Sequence, residues 1–121
     1  RANRFDEAEK ILRKCVKLMP LLRPARIGLA AILARLGRLP EAEEQFKAVV
    51  MLEPRQAEGH LHLGYFYVTQ FHDRDADAVA ALCKAVEFDT GLRERLWNDP
   101  RLFRLRADAR FQECFADTSA R

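Results

Sequence analysis

The histidines of this sequence are the side chains best suited to metal binding or acid–base chemistry, and their spacing favours neither. His60 and His62 are two residues apart, a separation that points them to different sides of a helix. His72 follows in a polar stretch that we interpret as a turn. A zinc site needs ligands that converge, most simply from positions four apart on a helix. We therefore predict no metal site and no cofactor, and we expect His60 to be a partly buried packing residue.

The remaining candidates for chemistry are nucleophiles, and none has the partners that catalysis requires. The only serine, Ser119, lies near the C-terminus, and the sequence identifies no histidine partner for Cys83. The sequence also contains no glycine-rich phosphate loop and no paired-carboxylate motif. We therefore predict that the chain is not an enzyme.

Cysteine usage bears on the redox compartment. Cys15, Cys83 and Cys114 cannot all pair with one another, and none has the C-x-x-C spacing of zinc or redox sites. We expect free thiols, which are typical of a reducing compartment. No apolar run reaches the ~18 residues needed to cross a bilayer. We therefore expect a soluble, cytoplasmic chain, cut from a longer protein because the sequence opens inside a repeat unit.

Arginines dominate the charge of the C-terminal region. The net charge is only +3, but seven arginines follow Thr90, and such clustering can favour nucleic acid. Acidic residues are interleaved with them, and no exposed aromatic platform accompanies them. We therefore expect an ion-paired surface and do not expect a nucleic-acid partner.

The elements that position these residues form a repeat with a period of 34 residues. The first set of matched positions is Ala8, Leu12, Cys15 and Pro20, which return as Ala42, Phe46, Val49 and Pro54. The second set is Leu29, Ala30 and Leu33, which return as Leu63, Gly64 and Tyr67. A third copy, Ala78, Leu82, Ala85 and Thr90, lies 36 residues beyond its predecessor, which places a two-residue insertion in a turn near residues 71–75. The apolar spacing predicts helices over 4–18, 24–36, 40–52, 57–70 and 76–88, the last with Asp75 as N-cap.

This pattern resembles the tetratricopeptide repeat (TPR). The matching motifs are Leu29-Ala30-x-x-Leu33, Leu36-Gly37-Arg38, Ala42-x-x-x-Phe46 and the closing Pro54. Two positions depart from the family pattern: Arg26 stands where a bulky apolar residue is usual, and Thr90 replaces a closing proline. The resemblance implies an all-α fold, an α-α superhelix of antiparallel helix pairs. Its expected segments are a half unit at 1–22, a complete unit at 23–56, a unit with a turn insertion at 57–90 and capping helices at 91–121.

The predicted cap has a motif of its own. Asp99-Pro100 and Asp108 read as helix starts, and Leu102, Leu105 and Phe111 provide apolar positions. This D-P-x-L-x-x-L-R-x-D-x-R-F motif resembles the closing segment of some bacterial TPR proteins. An open stack of helix pairs needs such a cap to cover its last apolar face.

In the TPR family, one stripe of each first helix lines a concave groove that binds peptides. The resemblance places that groove at Ile27, Ala31, Ala34, Arg35, Glu58, Leu61, His62, Tyr65, Val68 and Thr69. Some of these residues would, in an alternative interpretation, pack on neighbouring helices. Ile27, Ala31 and His62 stand where carboxylate-clamping members carry polar or basic residues, so we do not expect a clamp. An apolar groove is instead suited to an extended peptide or an amphipathic helix.

Two other functions are consistent with the resemblance. The chain could be a regulatory or substrate-recruiting module of a larger enzyme. It could also self-associate through its first helix, where Ala8 and Leu12 would form an uncovered apolar strip.

Overall fold

The computed structural model describes residues 2–115, with side chains from Arg4 onward; Ser119 and the end of the predicted 91–121 cap lie outside the described residues. The described chain is all-helical, which confirms the predicted fold class. Seven α-helices and one 3₁₀ helix follow one another: α1 (Ala2–Leu18), α2 (Arg23–Arg35), α3 (Leu39–Leu52), α4 (Ala57–Gln70), α5 (Asp75–Phe88), α6 (Leu92–Trp97), the 3₁₀ helix (Pro100–Ala107) and α7 (Ala109–Phe115). No helix among these residues combines the length and apolar composition that crossing a membrane requires.

The helices form two compact units, Arg1–Pro54 and Arg55–Arg121. In the first unit, α2 packs against both α1 and α3. Its core contains Leu29, Leu33 and Val49, all almost fully buried. A Cβ added to Gly28 would lie 3.2 Å from Leu12 Cδ2, so this glycine permits the close approach of α1 to α2.

Gly37 ends α2 as the sequence predicts. Its φ of 79° is in the left-handed region, where glycine carries no steric penalty. Its amide donates to Ala34 O at 3.0 Å and that of Arg38 donates to Leu33 O at 2.9 Å. This pair of bonds is a Schellman motif, which satisfies carbonyls at the helix end.

Arg26 replaces the usual apolar residue without disturbing α2. Its guanidinium donates to Pro20 O at 3.1 Å and to the Gln45 side chain at 3.2 Å. The half-buried arginine therefore packs with its polar end hydrogen-bonded, as a charged group in that position must.

The second unit is built on the α4–α5 pair. A Cβ added to Gly64 would lie 2.6 Å from Leu82 Cδ2 and Cγ, so the two helices approach too closely for any side chain at this position. His60 is 9% exposed and stacks on Phe88 with ring centroids 5.7 Å apart. The predicted packing role of His60 is confirmed.

The predicted C-terminal cap consists of α6, the 3₁₀ helix and α7. Its buried side chains are Leu92, Leu96, Leu102, Leu105, Phe111 and Phe115. The Phe111 ring stacks between Trp97 and Phe115, at centroid distances of 5.7 and 4.2 Å. Asp99 and Asp108 accept from the backbone amides two residues on, at 2.9 and 2.8 Å, which confirms both as local caps.

Asp75 is not the N-cap that the sequence predicts. Helix α5 begins at Asp75 itself, and the preceding Arg74 holds the cap position without a side-chain cap bond. The Asp75 carboxylate instead accepts from Arg104 Nη2 at 2.8 Å. The Asp75 carboxylate therefore forms a long-range ion pair and does not serve as the N-cap of α5.

The expectation of three free thiols is wrong for two of them. Cys83 on α5 and Cys114 on α7 form a disulfide, with Cα atoms 5.6 Å apart. Their sequence separation of 31 conceals the pairing, because only the packing of α7 on α5 brings them together. Cys15 is free. Disulfides persist in oxidising environments. The cysteines therefore do not support the predicted reducing compartment.

Candidate functional site

A pocket of about 320 Å³ lies in the second unit, between α4 and the beginning of the C-terminal cap. Helix α4 contributes one wall, and α6 with the start of the 3₁₀ helix contributes the other. The lining residues are Leu61, His62, Tyr65, Arg95, Leu96, Asp99 and Arg101. Leu61, His62 and Tyr65 share a wall because positions three and four apart lie on the same side of a helix.

Three of these side chains form a hydrogen-bonded group, the Tyr65–Asp99–Arg101 triad. The Tyr65 hydroxyl donates to Asp99 Oδ2 in a short hydrogen bond. Arg101 donates to the same carboxylate from Nε at 3.2 Å and from Nη2 at 2.9 Å. The Arg101 guanidinium also lies over the Tyr65 ring, 4.4 Å from its centroid. The triad therefore joins the two walls and holds the tyrosine ring in place.

The protonation states of the triad are set by these contacts. The Arg101 guanidinium lowers the pKa of Asp99 to about 2, with a further contribution from the Tyr65 hydroxyl. Burial, followed by the bond to Asp99, raises the pKa of Tyr65 to about 12. At neutral pH the tyrosine is a proton donor and the aspartate a carboxylate, and neither titrates near pH 7. At neutral pH the triad is therefore a charge-assisted contact between the two walls of the pocket.

The cap is also fixed to the C-terminal end of α4 through Arg104. Its Nη2 donates to Val68 O at 2.8 Å and to Phe71 O at 3.0 Å, in addition to its ion pair with Asp75. Carbonyls at a helix C-terminus lack intrahelical donors and carry partial negative charge, so a guanidinium is well suited to them.

The predicted groove residues of α4 differ in their exposure. Val68 is buried at 3% exposure, so its side chain does not line an open surface. Thr69 is exposed and donates to Tyr65 O at 2.7 Å. Glu58 is exposed at one end of the stripe, and its carboxylate lies 3.7 Å from His62 Nε2. Leu61, His62 and Tyr65 are the predicted groove residues that the structure brings together in the pocket.

The other predicted groove residues belong to α2 in the first unit. Ala31 and Arg35 are exposed, whereas Ile27 and Ala34 are half-buried. The Arg35 guanidinium lies 5.5 Å from the centroid of the Phe5 ring on α1. Their part in ligand binding stays a prediction.

Four lining residues were missed by the sequence reasoning: Arg95, Leu96, Asp99 and Arg101. They come from the cap, which we interpreted only as a cover for the last apolar face. The Asp99-Pro100 motif was the available signal, because it fixes a helix start whose carboxylate has further acceptor capacity. Among the described residues, no group of three histidine, cysteine or acidic side chains is placed to hold a metal ion.

A comparison with known families gives a match to the first part of the chain. A family model described as tetratricopeptide repeat matches residues 1–64, which is more than half of the sequence. A search of curated proteins gave no match.

Proposed function

Because this chain belongs to the tetratricopeptide repeat family, a family of protein-interaction modules, we propose that it binds a peptide segment or an amphipathic helix of a partner protein. The site is the pocket between α4 and the cap. One observation carries the proposal: Leu61, His62 and Tyr65, assigned to the binding stripe by the family pattern, converge on one concave surface. Concave sites with an apolar lining and a few oriented polar groups are typical ligand sites.

The rigidity of the pocket supports this proposal. The Tyr65 ring is held by Asp99 and covered on one side by Arg101. A side chain that is already fixed loses little conformational entropy when a ligand arrives, so more of the contact energy remains as affinity. Tyrosine and arginine are also the side chains that most often dominate protein interfaces.

Random peptides displayed on phage, selected against the purified chain, provide the direct test. We expect selected peptides to bind the native chain and to lose most of their affinity for Leu61→Asp, because a carboxylate then enters the apolar part of the pocket. Ala80→Asp, on an exposed position of α5, is the matched control and should bind normally. Equal binding by both variants, with unchanged helical circular dichroism, would place the site elsewhere.

Self-association is a second candidate, favoured by exposed apolar side chains in the first unit. The predicted strip is corrected here, since Ala8 and Leu12 are half-buried and Leu12 faces Gly28. The exposed apolar side chains of the first unit include Ile11, Leu18 and Leu21, at 63, 74 and 80%. Sedimentation equilibrium of the native chain and of Leu18→Glu tests this candidate: a dimer that the substitution dissolves would support it.

A third candidate is that the chain recruits substrates for, or regulates, an enzyme domain of a larger protein. It uses the same pocket, and the full-length reading frame distinguishes it from a separate scaffold.

A further inference from the structure

The pocket has an excess of positive charge that its own residues do not neutralise. Among the described residues that line the pocket, Asp99 is the only one with a carboxylate, and it already accepts from Tyr65 and from the Arg101 side chain and backbone. Arg95 is exposed, and within residues 4–115 it forms no salt bridge. One guanidinium at the edge of the pocket is therefore available to an anionic ligand.

The same pocket offers apolar surface next to that charge. Leu61 and Tyr65 line the pocket and are half-buried, so part of each side chain is accessible to a ligand. Leu96 also lines the pocket, but at 2% exposure it adds little accessible surface. A volume of about 320 Å³ is at the lower end of the range for ligand pockets, roughly 300–1,000 Å³. It is enough for one or two side chains of a peptide.

We infer that the pocket takes an acidic peptide segment in which a carboxylate lies beside a branched apolar side chain. The apolar side chain would contact Leu61 and the Tyr65 ring, while the carboxylate would reach Arg95. This inference rests on the proposed function. It adds the chemical class of the partner, and it depends on cations supplied by the cap, which lie outside the repeat stripe. A cationic segment is disfavoured because Arg95 and Arg101 would repel it.

Selection from the phage-displayed random peptide library tests this inference. The enriched peptides should contain Asp or Glu next to Leu, Ile or Val. Because Arg95 is exposed, its ion pair contributes modestly, and Arg95→Gln should weaken binding by about twofold to fivefold. The effect should shrink as salt is added. Arg55→Gln removes the same charge from an exposed position outside the pocket and should leave binding unchanged.

A charge exchange gives the sharper measurement. Arg95→Glu should reject the selected acidic peptide and should bind the same peptide with its acidic residue replaced by Lys. Amidating the C-terminus of the synthetic peptide separates a side-chain carboxylate from a terminal one: retained affinity assigns the contact to the side chain, and lost affinity assigns it to the chain end.

The failures of the two proposals are distinguishable. Peptides that lose affinity for Leu61→Asp but are neutral or basic, or that bind Arg95→Gln as tightly as the native chain, overturn the acidic specificity and leave the peptide site intact. If no peptide is enriched, or none depends on Leu61, the proposed function itself fails. Displacement of the peptide by added Leu61→Asp chain, which does not bind the peptide itself, would instead identify a second copy as the occupant.

Discussion

At the scale of single residues, the Tyr65 hydroxyl is the contact on which the pocket depends most directly. It lies on α4, whereas its acceptor Asp99 stands 34 residues later at the start of the 3₁₀ helix. Removing the hydroxyl leaves Asp99 with its bonds to Arg101, so the carboxylate keeps hydrogen-bond donors. The cost is that of one charge-assisted hydrogen bond.

We expect Tyr65→Phe to lower the free energy of unfolding by about 1–3 kcal/mol, the usual range for a hydrogen bond to a charged group. Urea denaturation monitored by circular dichroism measures the change. Tyr67→Phe is not an equivalent control because Tyr67 is buried, whereas Thr69→Val removes a hydroxyl from an exposed site on the same helix. A loss no larger for Tyr65→Phe than for Thr69→Val would contradict the assignment.

The depressed pKa of Asp99 predicts an acid dependence of stability. A carboxylate with a lowered folded-state pKa contributes stability above its unfolded value, about 3.9, and loses it as the pH falls through the folded value. For Asp99 the folded value is about 2, so the loss should extend from about pH 4 to about pH 2. Asp99→Asn keeps a capping oxygen and should flatten this part of the stability profile, measured by urea denaturation at each pH.

Asp108 should also contribute to the loss of stability in acid. Its hydrogen bond from Arg110 also lowers its pKa to about 2, so part of the acid loss should persist in Asp99→Asn. An Asp108→Asn variant should remove that second part, because an amide does not titrate. Its oxygen can still accept from the Arg110 backbone, so the local cap is kept. A profile unchanged in both variants would show that neither carboxylate gains from its folded-state partners.

At the scale of the helices, α4 and α5 approach each other closely at Gly64. Gly64 has no room for a Cβ, because Leu82 Cδ2 and Cγ would lie 2.6 Å away and the Leu82 side chain is fully buried. Gly28 in the first unit offers a contrast. Its nearest contact is Leu12 Cδ2 at 3.2 Å, on a half-buried side chain that has space to move.

We expect Gly64→Ala to destabilise the protein by about 1–3 kcal/mol, the cost of overpacking a filled core, even after the gain in helix propensity of about 1 kcal/mol. For Gly28→Ala the propensity gain should offset most of the strain. Thermal unfolding of both variants measures the difference. A Gly64→Ala protein as stable as Gly28→Ala would mean that α4 and α5 separate more easily than their packing indicates.

The helices themselves could be predicted from sequence because their signals are local. Pro24, Gly37 and Pro40 mark helix ends, and the 34-residue spacing identifies which apolar positions face a partner helix. The bonds of Asp75 and Asp99 could not be predicted in the same way. Each carboxylate sits at a recognisable helix start, but its partner, Arg104 or Tyr65, is about 30 residues away. Only the packing of the cap selects that partner.

At the scale of the whole chain, the same limit explains the missed disulfide and the missed half of the pocket. Both depend on where the cap lies in the second unit, and the repeat pattern ends before the cap begins. The disulfide joins α5 to α7, so it holds the end of the segment whose beginning lines the pocket. The cap is thereby fixed at its beginning by the Tyr65–Asp99–Arg101 triad, in its middle by Arg104 and at its end by a covalent bond.

The disulfide should therefore make a large contribution to stability. Closing a loop of 31 residues restricts the unfolded chain by about 3–4 kcal/mol in the loop-entropy model. We expect the Cys83→Ser/Cys114→Ser double variant, and native chain treated with dithiothreitol, to unfold at a lower urea concentration than the untreated native chain. The free energy of unfolding should fall by a corresponding amount. Cys15→Ser is the control, since Cys15 is free and its variant should still respond to dithiothreitol. Titration of the unfolded, unreduced chain should find one thiol, whereas three would show that the bridge had not formed.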